Sequence, residues 1–337
     1  MDYRSAGVDL AKAEEAVSAI KGIAASTHTG RVLSPIGGFG ALYDIAGLAN
    51  HPVLVSTTDG VGTKIELARA AKRWHGLGFD LVAMCVDDLV CTGAKPLFFL
   101  DYIAVGKNDP DVIAAVVAGI ADALRPTGAS LVGGEIAEHP GVMEEEQIDL
   151  AGFAVGVMEK GRELGPERVR EGDVIVAVPS PNLRSNGFSL VRAIYRDLIE
   201  SVAAETASGA DQDLFDSLVE PSVIYTPSLL PVVERGLVAA AAHITGGGII
   251  GNLSRVIPDG LAAVIDARCW RWPAVFERIA TDGGVSLEEM RSTFNLGVGM
   301  ALAIHPKDAE EVATLLPGSF AIGSVELETG GRRAFWS

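Results

Sequence analysis

VSTTDGVGTK, residues 55–64, runs out of an apolar segment and breaks at two glycines, with a carboxylate, three threonines and a lysine gathered around them. Asp-Gly is a common turn dipeptide, and a plain surface turn accounts for the glycines. It does not account for Asp59, Thr63 and Lys64 crowding the same turn. A site for phosphate and metal would use that composition, with the acid for a cation and N–H groups or the lysine for a phosphoryl oxygen. The rest of the chain has to decide between the two readings.

The flanking segments predict mixed helix and strand. Pro52–Ser56 reads as a strand entering the glycine turn. Phe79–Thr92 reads as a helix closed by Gly93 and Pro96. Leu97–Val105 is strand-like, and Asp109 with Pro110 opens a helix through Ala123 as N-cap and first-turn proline. Ser130–Val132 is a short strand ending in Gly133-Gly134-Glu135, and Ala151–Met158 is another. Between Glu159 and Asp173 the chain is charged and punctuated by glycine and proline, which marks a domain boundary. The expected domains are 1–165 and 166–337, the second opening with a strand over Val174–Val178. Residues 203–213 are small and polar and read as a surface loop. No strict βαβ rhythm appears, so the expected class is α+β with two domains rather than one doubly wound sheet.

Bulk properties narrow the function. With 48% hydrophobic and 21% charged residues among 337, the chain is globular with an ample core. The net charge of −17 argues against nucleic-acid binding, which draws on a basic face. A phosphate bound here needs a local device. Cys85, Cys91 and Cys269 form no CxxC pair and suit a reducing compartment. The start MDYRSAGVDLAKAEEAV is amphipathic and acidic, unlike a secretory signal. The apolar window 112–124 is broken by Asp122 and too short for a bilayer. These features predict a cytoplasmic protein with no membrane partner.

The sequence contains no GxxxxGK[ST], HExxH or GxSxG motif. Gly246–Gly251, GGGIIG, matches GxGxxG with Asp266 twenty residues after Gly246, as a dinucleotide fold would require. Pro258-Asp259-Gly260 stops any helix there after about two turns, too short for a crossover. The triplet Gly246, Gly247 and Gly248 after His243 instead suits an anion nest. On the Phe79–Thr92 helix, Asp88 shares a face with Leu81, Met84 and Cys85, whereas Asp87 points about 100° away and reads as solvated. Asp59, Asp88 and Glu135 come from three elements without His or Cys among them, which suits a hard cation such as Mg²⁺. Gly37-Gly38-Phe39-Gly40 is a second glycine loop, for packing around Phe39 or for phosphate contact. Lys64 reads either as a phosphoryl partner or as an ordinary exposed lysine. Asn295 is a turn residue by default, and His243 a core histidine or a catalytic one.

Nine stretches carry a family resemblance: YRSAGVDL at 3–10, GGFGAL at 37–42, TDGVGTK at 58–64, MCVDDL at 84–89, LFFLDY at 97–102, LVGGEIAEHPG at 131–141, SNGFSLVR at 185–192, HITGGG at 243–248 and FNLGVGM at 294–300. In this order they resemble the phosphoribosylformylglycinamidine cyclo-ligase (AIR synthetase) family of purine biosynthesis. The resemblance implies a two-domain α+β fold, a homodimer with a β-barrel across the interface, and ATP with Mg²⁺ held without a P-loop. It implies Asp59 and Asp88 as Mg²⁺–phosphate ligands with Glu135 supporting the metal. Lys21, Gly37, Gly38, Gly40, Gly60, Gly62, Thr63, Gly133 and Gly134 then serve the nucleotide. Arg184, Ser185, Asn186, Gly187, Gly246, Gly247, Gly248 and Asn295 serve the ribonucleotide in the second domain. Asp59, Asp88, Lys64 and His243 make up the expected catalytic set.

The implied reaction is ATP-driven closure of formylglycinamidine ribonucleotide to aminoimidazole ribonucleotide. Related ATP-dependent types are the selenophosphate synthetases and thiamine-monophosphate kinases. The former carry a reactive Cys/Sec loop near the N-terminus, where this chain has no cysteine before Cys85. A catalytically inactive nucleotide-binding paralogue is a further alternative. The chain departs from the family pattern at Arg184, where histidine is usual, at Phe188 for tyrosine, at Ile136 for threonine and at Asp87 for asparagine.

Overall fold

The structure is a computed structural model describing residues 10–34, 36–328 and 330–337. The YRSAGVDL stretch lies outside these except for its last residue. The chain divides into two compact units. One takes the described residues up to Leu89 together with Lys95–Glu159; the other takes Val90–Ala94 and Lys160–Ser337.

The first unit contains α1 (Leu10–Ala25), β1 (Pro52–Gly60), α2 (Ile65–Ala70), most of α3 (His75–Thr92), β2 (Lys95–Val105), α4 (Pro110–Leu124), β3 (Ser130–Glu138) and β4 (Ile148–Glu159). Its four strands lie in the order β1-β4-β2-β3. The β2–β3 pair is parallel, joined through α4, and the other neighbours are antiparallel. Helix α4 starts as its sequence predicts: the Asp109 carboxylate accepts from the N–H groups of Asp111 and Val112, and Pro110 fills the first turn. Strand β1 runs four residues past Ser56, because its pairing with β4 continues from Pro52↔Glu159 to Gly60↔Ala151. Asp59 therefore sits on a strand end rather than in the turn itself.

One face of this sheet is covered and the other is open. Along β4, Leu150, Gly152 and Ala154 are buried while Ala151 and Phe153 are exposed; along β2, Phe99, Asp101 and Ile103 are buried beside exposed Tyr102. This period of two is that of a sheet packed on one side. Leu81, Val82, Leu89, Ile113, Val116 and Ile120 of α3 and α4 are all fully buried.

The second unit carries β5 (Val174–Pro179), α5 (Phe188–Ile194), α6 (Arg196–Ala203), α7 (Ala210–Val219), α8 (Thr226–Glu234), β6 (Ala240–His243), α9 (Gly248–Leu253), β7 (Leu261–Ile265), α10 (Ala274–Gly283), α11 (Leu287–Thr293), β8 (Val298–Ile304), α12 (Ala309–Leu315), β9 (Phe320–Leu327) and β10 (Ala334–Trp336). Its sheet order is β10-β7-β9-β5-β8-β6. Every residue of β8 is buried, because VGMALAI is apolar at both parities and both faces are covered. Leu229 and Val232 of α8 pack on one face with Met300 and Leu302. Ile249 and Leu253 of α9 pack on the other with Ala301 and Ala303. The polar stretch 203–213 is not loop throughout, since α7 begins at Ala210. Gly209, with φ +57, leads into it, and Phe215, Leu218 and Val219 bury one face.

The dinucleotide pattern at 246–251 does not build a dinucleotide fold. Helix α9 has six residues, β6 pairs with β8, and β7 lies at the far side of the sheet against β9 and β10.

Candidate active site

In the first unit a single row of paired residues crosses all four strands. Asp59 of β1 faces Gly152 of β4, Gly152 faces Asp101 of β2, and Asp101 faces Gly134 of β3. Neighbouring strands lie about 4.8 Å apart, so two strand spacings put Asp59 and Asp101 about 10 Å apart along that row.

Near the β1 end of the row, Asp59 and Asp88 both lie within electrostatic reach of Cys85. Thr57 Oγ1 donates to Cys85 O over 2.8 Å, fixing α3 against β1. Cys85 Sγ lies 3.9 Å from Asp59 O. Burial, and then the charges of Asp59 and Asp88, push the Cys85 thiol pKa well above its ordinary value. The same thiol thus feels both carboxylates, and it is inert as a nucleophile. Asp59 Oδ1 accepts from Gly60 N at 2.7 Å and the residue is exposed, while Asp88 is half-buried.

The neighbouring acid reverses the sequence reading. Asp87 is fully buried rather than solvated. A helix residue 100° from the main apolar stripe remains inside when the helix is covered over most of its circumference. Lys64 is also fully buried, with Nζ 2.8 Å from Asp80 Oδ1, and is not an ordinary exposed lysine.

Glu135 goes elsewhere. Register pairs it with Tyr102, one residue along from the Asp59 row and hence on the opposite parity of the sheet. Among the described residues no three acids, histidines or cysteines gather closely enough to hold one ion. Of the expected set Asp59, Asp88 and Glu135, the first two lie at the β1 end of the row and Glu135 lies on β3. Two carboxylates fit Mg²⁺, an oxygen-seeking ion that usually keeps waters and substrate phosphates beside one or two protein ligands.

A cavity of about 620 Å³ opens at the β3 side of the row. It gathers Lys21, Gly37, Gly38, Gly40, Gly133, Gly134 and Glu135, which sequence assigned to nucleotide or metal, and adds Asp101, which it did not. The Lys21 Cε lies close to Gly37, so α1 and the glycine loop meet. Phe39 in that loop is fully exposed, which removes the alternative that the loop exists to pack it. Asp101 is 9% exposed. Burial pushes its carboxyl up to about 7, against the opposing effect of its own backbone N–H. Its signal was present in the sequence: Leu97, Phe99, Asp101, Ile103 and Val105 share one parity, placing an acid on an apolar face. A side chain at position 134 would put its Cβ 1.7 Å from Asp101 Oδ1, so only glycine lets the carboxylate lie there.

Three loops of the second unit form a further cluster. Arg184 is 1% exposed and takes a left-handed φ of +62. Its guanidinium lies 4.8 Å from the centroid of Tyr225, and its Nη1 is 2.6 Å from His243 Nε2. Because the guanidinium only donates, Nε2 accepts, which leaves the ring proton on Nδ1. Asn182 Oδ1 accepts from Arg184 N at 3.1 Å. Asn295, also buried, donates to Asn182 O at 3.0 Å and accepts from Gly297 N at 2.8 Å. These bonds hold Asn295 against the 182 and 297 backbone.

Asn252 secures the glycine triplet, its Nδ2 donating to Gly248 O at 2.8 Å and lying 3.3 Å from the carbonyls of Thr245 and Gly246. Gly248, at φ +64, would place a Cβ 2.0 Å from Arg291 O. Its N–H bonds Thr245 O, leaving Gly246 and Gly247 as the exposed part of the triplet. The position of a Cβ on Gly246 is 3.6 Å from Asn186 Nδ2, so the 185–187 and 246–248 loops adjoin. Ser185 Oγ between them is buried with no partner among the described residues.

Comparison with known proteins places the chain in a family. The profile of AIR synthase related protein, N-terminal domain, matches residues 40–158, and that of the corresponding C-terminal domain matches 170–332. A phosphoribosylformylglycinamidine cyclo-ligase from Bifidobacterium animalis subsp. lactis (strain AD011) is 46% identical over 316 residues, covering 93% of this chain and 92% of the relative. The chain belongs to the phosphoribosylformylglycinamidine cyclo-ligase family.

Solved structures share the family's fold at low identity. A thiamine-monophosphate kinase from Stenotrophomonas maltophilia K279a superposes with a TM-score of 0.68 at 17% identity, covering 96% of both chains. The hydrogenase maturation protein HypE in complex with ATP gives 0.66 at 15%, covering 93% of this chain and 88% of that one. Among the described residues no helix is long and apolar enough to cross a membrane.

Proposed function

We propose that this protein is a cytoplasmic, ATP-dependent cyclo-ligase that closes formylglycinamidine ribonucleotide to aminoimidazole ribonucleotide, releasing ADP and phosphate. The observation that carries this reading is 46% identity over nearly the whole chain to a cyclo-ligase. That the charges of Asp59 and Asp88 both act on the Cys85 thiol is consistent with two acids placed for one cation.

The chemistry asks for alignment and charge neutralisation more than for a nucleophile on the protein. The γ-phosphoryl group passes from ATP to the formyl oxygen, turning that oxygen into a leaving group. The amidine nitrogen bearing the ribose then attacks the formyl carbon. A C–N bond forms, the C–O bond breaks, phosphate departs and the nitrogen loses its proton. Asp59 and Asp88 would hold Mg²⁺, which supplies charge neutralisation at the phosphates when bound. Lys21 and the Gly37–Gly40 loop, with Gly133 and Gly134, would receive the nucleotide in domain 1–165. Gly60, Gly62 and Thr63 follow Asp59 and would serve the phosphate end. In domain 166–337, Ser185, Asn186, Gly187, Gly246 and Gly247 would take the ribonucleotide, with Arg184, His243, Gly248 and Asn295 shaping that surface from behind.

The open sheet face of the first unit supports a homodimer. Leu54, Tyr102 and Phe153 are 56%, 42% and 42% exposed there. A second copy covering this apolar surface would remove it from water.

The test is turnover with authentic ribonucleotide, ATP and Mg²⁺, following ADP and imidazole product separately. One ADP per ring closed is expected. ADP release without imidazole would point instead to a kinase-like relative. Sedimentation at micromolar concentration should give a dimer, and Phe153→Lys a monomer; a monomeric wild type would remove the dimer from the proposal.

A further inference from the structure

We propose that Asp101 reads the base of the bound nucleotide, its carboxyl group meeting the amino and ring-nitrogen edge of a 6-aminopurine. This rests on the reading that the cavity beside β3 takes ATP.

The cavity suits a heterocyclic base. Its volume of about 620 Å³ falls in the range of small-molecule sites, roughly 300–1,000 Å³. Val17, Ile20, Val117, Leu131 and Val132 give it apolar walls. Four charged residues line it: Glu14 and Lys21 from α1, Asp101 from β2 and Glu135 from β3. Glu14, Lys21 and Glu135 are exposed and keep their water, whereas Asp101 is buried. A solvated charge discriminates little between ligands. A desolvated one must be matched, because a ligand that leaves it unmatched forfeits the full cost of its burial.

The carboxyl has a fixed place. Oδ1 lies where a Cβ on Gly134 would be, so the β2–β3 pairing and the missing side chain at 134 together aim it. In the acid form its O–H donates to a ring nitrogen while its carbonyl accepts from the neighbouring amino group. A purine without that amino group lacks the donor.

Binding measured by calorimetry on the full chain tests this, with ATP and with purine riboside triphosphate, which lacks the 6-amino group. Wild type should bind ATP more tightly, on the order of tenfold. Asp101→Leu should erase the preference by weakening ATP alone. Asp101→Asn keeps one donor and one acceptor at that site and should retain most of it, which guards against a misfolded leucine variant. Gly134→Ala should act like Asp101→Leu. Equal loss of both nucleotides in Asp101→Leu, or an undiminished preference for ATP, overturns the assignment to Asp101. In that case Lys21→Ala distinguishes the cause: lost ATP binding keeps the cavity as the nucleotide site, and unchanged binding removes that reading too.

Discussion

Arg184 Nη1 donates to His243 Nε2 over 2.6 Å, joining the loop before α5 to the end of strand β6. The arginine that stands where the family usually has histidine is thus not a solvated side chain. It is buried between Tyr225 and His243.

A double-mutant cycle of Arg184→Ala and His243→Ala, followed by urea unfolding, should give a coupling of about 1–3 kcal/mol, as for residues in direct contact. Each single variant should also raise the KM for the ribonucleotide more than that for ATP. Additive stabilities would mean that the contact contributes nothing.

Lys64 and Asp80 present a sharper choice. Removing one partner of a buried ion pair costs about 3–5 kcal/mol, and an apolar pair of similar size is often neutral. Lys64→Met alone should lower the unfolding temperature, and Lys64→Met with Asp80→Leu should recover it. Activity in the recovered double variant would assign Lys64 to the fold. A folded but inactive double variant would return it to the phosphates.

Asp59→Asn and Asp88→Asn should each remove most turnover, by several kcal/mol in the barrier if both hold the same Mg²⁺. Unfolding without ligand should change little for Asp59, which is exposed. Raising Mg²⁺ should recover part of the rate in both variants. An active Asp59→Asn with an unfolded Asp88→Asn would end the shared-ion scheme.

Asp101 makes stability depend on pH in a stated direction. Its carboxyl is pushed up from 3.8 to about 7, so between those values the folded state binds more protons than the unfolded one. The folded state therefore loses stability as pH rises through that window, by a few kcal/mol in all at about 1.4 kcal/mol per unit. Asp101→Asn has no charge to bury. Relative to wild type it should gain stability between pH 5 and pH 8, read as a widening difference in Tm. A difference independent of pH would show that the carboxyl is not desolvated.

The sequence by itself determined the elements and the chemistry they carry. Alternating apolar residues fixed which way β2 and β4 face, Asp109-Pro110 fixed the start of α4, and Pro258 shortened α9 enough to refuse a dinucleotide fold. Those are local effects, set by neighbours along the chain. Composition and motif order likewise named Asp59, Asp88 and the glycine loops. Tertiary structure alone decided which of these groups meet. Pairing register put Glu135 on the opposite parity from Asp59, and coverage of α3 buried Asp87. Packing between separate segments gave Lys64 to Asp80 and Arg184 to His243. It also turned Asp101, one acid within a strand, into a desolvated carboxyl facing a cavity. A side chain's partner across the fold depends on strand order and helix packing, and no local spacing encodes either.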